Sequence, residues 1–113
     1  MPSFQNLLLA AVAATAAQAY SNNCDGSLFS PTRSDCDTGV SHIDPGATYN
    51  DQAQFSSGNC YIIYATNGAG PQPVSGQVLI NTANAILDEC SNLHGSYGTN
   101  NCESCHVTVN YRS

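Results

Sequence analysis

Six cysteines stand in this chain, at positions 24, 36, 60, 90, 102 and 105, and all of them follow an apolar N-terminal run. That run, "NLLLAAVAATAAQA", ends in Ala17-Gln18-Ala19, the small-x-small pattern at which secretory leaders are cleaved. Residues 1–19 are read as a signal peptide and residues 20–113 as a single secreted domain. No second apolar stretch of about 20 residues follows to span or anchor in a bilayer. An even number of cysteines in a short exported chain implies a disulfide framework. A domain this small has a core that alone gives marginal stability. Three bridges, each withdrawing about 2–4 kcal/mol of unfolded-chain freedom, decide whether it folds.

Charge narrows the range of partners. Arg33 and Arg112 are the only basic side chains, there is no lysine, and eight carboxylates give a formal net charge of −6. Such a surface repels nucleic acid and anionic membranes. No Asn-x-Ser/Thr sequon is present.

The periodicity places two helices and two clear strands. Ser30-Pro31 reads as an N-cap with proline at the first helical position, and Cys36, Val40 and Ile43 then recur on one helical stripe until Asp44-Pro45-Gly46. "ATYNDQAQF" reads as a weak hairpin turned at Asn50-Asp51. "CYIIYAT", apolar on both faces, predicts a central strand. "NGAGPQPVSG" is loop-like, and Ser75 caps a second helix whose stripe is Leu79, Ala83, Ile86, Leu87 and Cys90. "SNLHGSYGTNN" reads as another exposed glycine-rich loop. "CHVTVNY" alternates, with Cys105, Val107, Val109 and Tyr111 on one side and His106, Thr108 and Asn110 on the other. Helices interspersed with strands predict a two-layer α+β sandwich.

Cys102-Glu103-Ser104-Cys105-His106 matches the pattern of covalent haem attachment. A haem also needs an axial partner and a large apolar crevice. Residues 20–113 contain no methionine, and a strand turns His106 away from Cys105, leaving it as an exposed strand histidine. Neither a thioredoxin-type site, which needs its cysteines at a helix N-terminus, nor a zinc site in an oxidising compartment suits this stretch. No cofactor or metal is expected. The alternative chemistry is a small ribonuclease-like hydrolase, using His42, His94 or His106 with Glu89 or Glu103 as acid and base. Cations for a phosphate are scarce, and no nucleophile elbow or His-Glu-x-x-His helix is present. The chain is therefore expected not to be an enzyme. Asp88-Glu89 at the end of the second helix opposes its dipole.

Several segments in order resemble the fungal killer-toxin-like family, small secreted proteins of smut fungi whose pattern overlaps that of cysteine-rich extracellular effectors. They are Cys24-Asp25-Gly26-Ser27, "SDCDTGVSHI", "GNCYIIYAT", "ANAILDEC", Gly95-Ser96 and the closing "CHVTVNY". The resemblance spans essentially all of residues 20–113. It implies a small disulfide-stabilised α+β sandwich, an antiparallel sheet with two helices on one face, and a Cys24–Cys90 bridge. Of the pairings left, Cys36 with Cys105 is favoured because both face the core, leaving Cys60 with Cys102. Direct pairing of Cys102 with Cys105 closes a loop too small to stabilise much. Ser30 and "LHGS" stand where family members carry two further cysteines, consistent with the loss of one whole bridge.

The family's activities are growth inhibition of competing fungi by cation-channel block and action on plant hosts. A blocker of a cation pathway should present lysine or arginine to it, and two arginines fit that poorly. The expectation is a monomeric antimicrobial or virulence protein that binds an extracellular protein or cell-surface target. The exposed loops supply Asn67, Pro71, His94 and Tyr97 as contact groups.

Overall fold

The computed structural model describes residues 20–113; the signal-peptide reading lies outside the described residues. In chain order the elements are helix α1 (Arg33–Ser41), strands β1 (Thr48–Tyr49), β2 (Ala53–Gln54), β3 (Cys60–Ala65) and β4 (Val74–Ser75), helix α2 (Gly76–Glu89), and strands β5 (Gly95–Gly98) and β6 (His106–Tyr111). An antiparallel sheet in the order β2-β3-β6-β5 carries both helices on one face, and β1 with β4 forms a small second ladder. The fold class is thus the one expected.

The alternation of β3 and β6 explains the layer. Ile62, Tyr64, Val107 and Val109 point to the helices and are essentially inaccessible, as are Leu79, Ile86 and Leu87 of α2. Each such burial contributes about 1.5–3 kcal/mol. Ser75 caps α2 by accepting the Val78 N–H at 3.2 Å. Its last turn carries Asp88 and Glu89 against the dipole, but each has a donor: Arg33 Nη2 lies 2.9 Å from Asp88 Oδ1, and the Tyr97 hydroxyl donates to Glu89 Oε1 at 3.0 Å.

Helix α1 starts after Thr32, later than the Ser30-Pro31 signal suggests. Pro31 is buried, and the Thr32 N–H donates to Asn59 Oδ1 at 2.9 Å, which keeps Thr32 extended. Asp35 then accepts the Asn59 N–H at 2.9 Å. The start of α1 is thereby fastened to the start of β3. Farther along α1, Gly39 lets the helix lie against the segment that follows β2, since a Cβ there would lie 2.5 Å from the Phe55 carbonyl oxygen.

Two further expectations about the backbone are corrected. β1 and β2 do not pair with each other across Asn50-Asp51; β1 pairs with β4 and β2 with β3. The Asp51 side chain is occupied in accepting the Thr66 N–H at 3.0 Å. The segment read as a glycine-rich loop contains β5, held between β6 and a bridge of Asn23 to Ser96. Gly95 allows that approach, because a Cβ would meet the Asn23 carbonyl oxygen at 2.4 Å.

The disulfides are Cys24–Cys90, Cys36–Cys60 and Cys102–Cys105. The first is the pair the resemblance implies, while Cys36 with Cys105 and Cys60 with Cys102 are not formed. Register is the reason: Cys60 faces Tyr111 and Ala65 faces His106, so Cys60 and Cys105 lie at opposite ends of the paired strands. Six residue steps at about 3.3 Å separate them by roughly 20 Å, well beyond the Cα spacing a disulfide tolerates. Cys36 sits beside Cys60, with 5.1 Å between their Cα atoms. The bridges span 66, 24 and 3 residues. Loop entropy makes them worth about 4.4, 3.5 and 1.6 kcal/mol respectively.

Candidate functional site

At the end of the sheet where β3 runs out and β6 begins, loops 66–73 and 99–105 leave side by side. The first turns through left-handed backbone at Asn67, Gly68 and Gly70. Thr66, fully buried, donates its hydroxyl to the Gly70 carbonyl at 2.9 Å, and the buried Tyr64 hydroxyl donates to the Gln72 carbonyl at 2.6 Å. These bonds fix the loop from beneath and leave Asn67 and Pro71 exposed at its tip.

The second loop is attached to the first by side chains. Asn101 Nδ2 reaches Tyr64 Oη at 2.9 Å and the carbonyls of Gln72 and Pro73 at 3.3 Å. Ser104 Oγ donates to the Thr66 carbonyl at 2.6 Å, and the Thr99 N–H donates to the Cys105 carbonyl at 3.1 Å. The Cys102–Cys105 bridge lies within this loop, with Cys105 inaccessible, Cys102 half-buried and Glu103 exposed. The result is one ordered platform made of two loops.

The other expected contact groups are elsewhere. His94 is 6% exposed rather than free; its Nδ1 lies 2.9 Å from the Cys24 carbonyl oxygen, and Gly26 passes over the ring, where a Cβ would come within 2.5 Å. Tyr97 is half-buried on the helix side of β5. Burial, followed by its hydrogen bond to Glu89 and that carboxylate's charge, raises the Tyr97 hydroxyl above its ordinary pKa. His106 is likewise not an exposed strand histidine: at 7% exposure it stacks on Tyr20 with ring centroids 4.7 Å apart, and its Nδ1 lies 2.9 Å from the Ser104 carbonyl oxygen.

His42 is exposed at the end of α1, so the three histidines stand apart. Among the described residues the ion pairs both belong to Arg33, with Asp37 at 3.1 Å and Asp88 at 2.9 Å, and neither involves a histidine. Arg112 Nε donates to the Gly58 carbonyl at 2.9 Å. No group of three or more potential metal ligands is assembled among the described residues, and no helix there is long and apolar enough to cross a membrane.

Sequence reasoning missed one surface feature. Leu28 is fully exposed and Phe29 is 66% exposed, at the opposite end of the molecule from the platform. Phe29 is held in place: Ser27 Oγ accepts from the Phe29 N–H at 3.1 Å, Asn110 Oδ1 accepts from the Ser27 N–H at 3.1 Å, and the Phe29 ring lies 5.4 Å from that of Tyr111. The signal was an apolar pair inside a turn-rich stretch, with no partner at helix or strand spacing. No family model, no curated protein and no solved structure matches the chain.

Proposed function

We propose that the protein is a secreted toxin-like or effector protein that binds an extracellular target of a competing microbe or plant host through the 66–73 and 99–105 platform. The observation that carries this reading is the clamp made by Asn101. With the Ser104 bond to the Thr66 carbonyl, it joins the two loops into one surface on which Asn67 and Pro71 are exposed. Preorganised loops lose little conformational freedom on binding. The low positive charge directs the surface toward hydrogen-bonding and apolar recognition of a protein rather than toward phosphates or a cation pathway.

The test applies the purified oxidised protein to fungal cultures and to plant leaves, beside a reduced and alkylated control and the variant N67G/P71A. Asn67→Gly keeps the positive φ of the turn. Growth inhibition or a leaf response that both controls lose is expected. A response retained by the alkylated control, or no response in either organism, contradicts the reading.

A further inference from the structure

We propose that Cys102–Cys105 is a thiol–disulfide exchange site, open to small-molecule thiols while the protein stays folded. The inference does not depend on the identity of any binding target. The first observation is what each bridge holds. Cys24–Cys90 ties the N-terminal segment to the end of α2, and Cys36–Cys60 ties α1 to β3. Cys102–Cys105 ties one loop to itself across three residues.

The second observation is that this loop is already held without sulfur. Asn101 to Tyr64, Gln72 and Pro73, Ser104 to Thr66, and Thr99 to the Cys105 carbonyl are all made by nitrogen and oxygen atoms, none by a cysteine sulfur. Breaking it removes no contact between elements. The third is asymmetric access: Cys102 is half-buried at the surface of the platform and Cys105 is inaccessible, whereas Cys36 and Cys60 are both inaccessible. Cys24 is also exposed, so access alone does not single out Cys102. Access combined with a bridge that supports no other element does.

The chemistry follows. The thiolate of a small thiol attacks Cys102 Sγ, and the electron pair of the broken Cys102–Cys105 bond goes to Cys105 Sγ, which takes a proton from solvent. A second thiolate attacks the mixed disulfide on its small-molecule sulfur, releasing Cys102, which is protonated, and the oxidised small disulfide. Two thiols are oxidised and one protein bridge is reduced. The same steps in reverse return the bridge at the expense of a small disulfide.

The protein is incubated at neutral pH, without denaturant, in a graded series of reduced glutathione concentrations, quenched with iodoacetamide and mapped by peptide mass spectrometry, with near-UV circular dichroism read in parallel. Alkylation confined to Cys102 and Cys105 with an unchanged spectrum is expected. Label reaching Cys24 and Cys90 before or together with them, or reaching all six as the spectrum collapses, overturns the proposal. Single-cysteine variants test the direction of attack. With oxidised glutathione, Cys105→Ala should gain one glutathionyl group on Cys102, and Cys102→Ala should lose that modification. Equal modification of Cys105 overturns the assignment of Cys102 as the attacked sulfur.

Discussion

The two ends of the central β3–β6 pair are built differently. At the Cys60 and Tyr111 end, a covalent bridge joins helix to strand, reinforced by Thr32 and Asp35 on Asn59 and by Arg112 on Gly58. At the Ala65 and His106 end, two loops are joined by side-chain hydrogen bonds, and the disulfide there closes only its own turn. A cysteine pair adds more stability the longer the chain it constrains, rising with the logarithm of loop length. The first end therefore owes its order to sulfur and the second to Asn101 and Ser104. That leaves the second end free to present loops, and its bridge free to react.

The contrast is broken most severely by C36A/C60A. Losing about 3.5 kcal/mol, at about 4–8 °C per kcal/mol for a domain of this size, should lower Tm by roughly 14–28 °C in a calorimetric scan. C102A/C105A should lower it by at most about half as much, since its loop constrains about 1.6 kcal/mol of chain freedom. Asn101→Ala sharpens the comparison from the other side. It removes the donor shared by Tyr64, Gln72 and Pro73, costing about 1–2 kcal/mol, and should speed exchange of the Thr66 and Ala69 amides while leaving α1 protected.

The smallest expected effect is at Tyr97, on the edge strand β5, whose side chain belongs to neither the Cys36–Cys60 fastening nor the Asn101 clamp. Its hydroxyl pKa is raised in the folded state, so the fold gains stability from it at pH values below about 10 and loses that gain as pH climbs through the raised value. Tyr97→Phe should flatten this alkaline decline in Tm without altering the neutral value by more than about 1 kcal/mol in stability.

Periodicity made the layers legible. The stripes of α1 and α2, the two-faced β3, the alternating β6 and the Ser75 cap can all be read from residue spacing, because each depends on local pattern. β5 could not be: Gly95-Ser96-Tyr97-Gly98 has little strand propensity, and its pairing is imposed by β6 and Asn23. The cysteine partners were hidden for a related reason. Cys36, Cys60 and Cys105 all face the core, but only the register of β3 on β6 shows that Cys60 and Cys105 lie at opposite ends. His94 and His106 read as exposed because the residues covering them, Gly26 and Tyr20, come from the distant N-terminal segment. Of the candidate site, Asn67 and Pro71 were legible as loop residues. The Asn101 clamp that makes their loop a surface was not.

The most direct measurement is a paired thermal unfolding of C36A/C60A and C102A/C105A against the parent protein under identical conditions. If sulfur orders one end and hydrogen bonds the other, C102A/C105A unfolds cooperatively with the smaller loss of Tm, and its Thr66 and Ala69 amides keep their protection. An equal or larger loss in C102A/C105A would contradict the account.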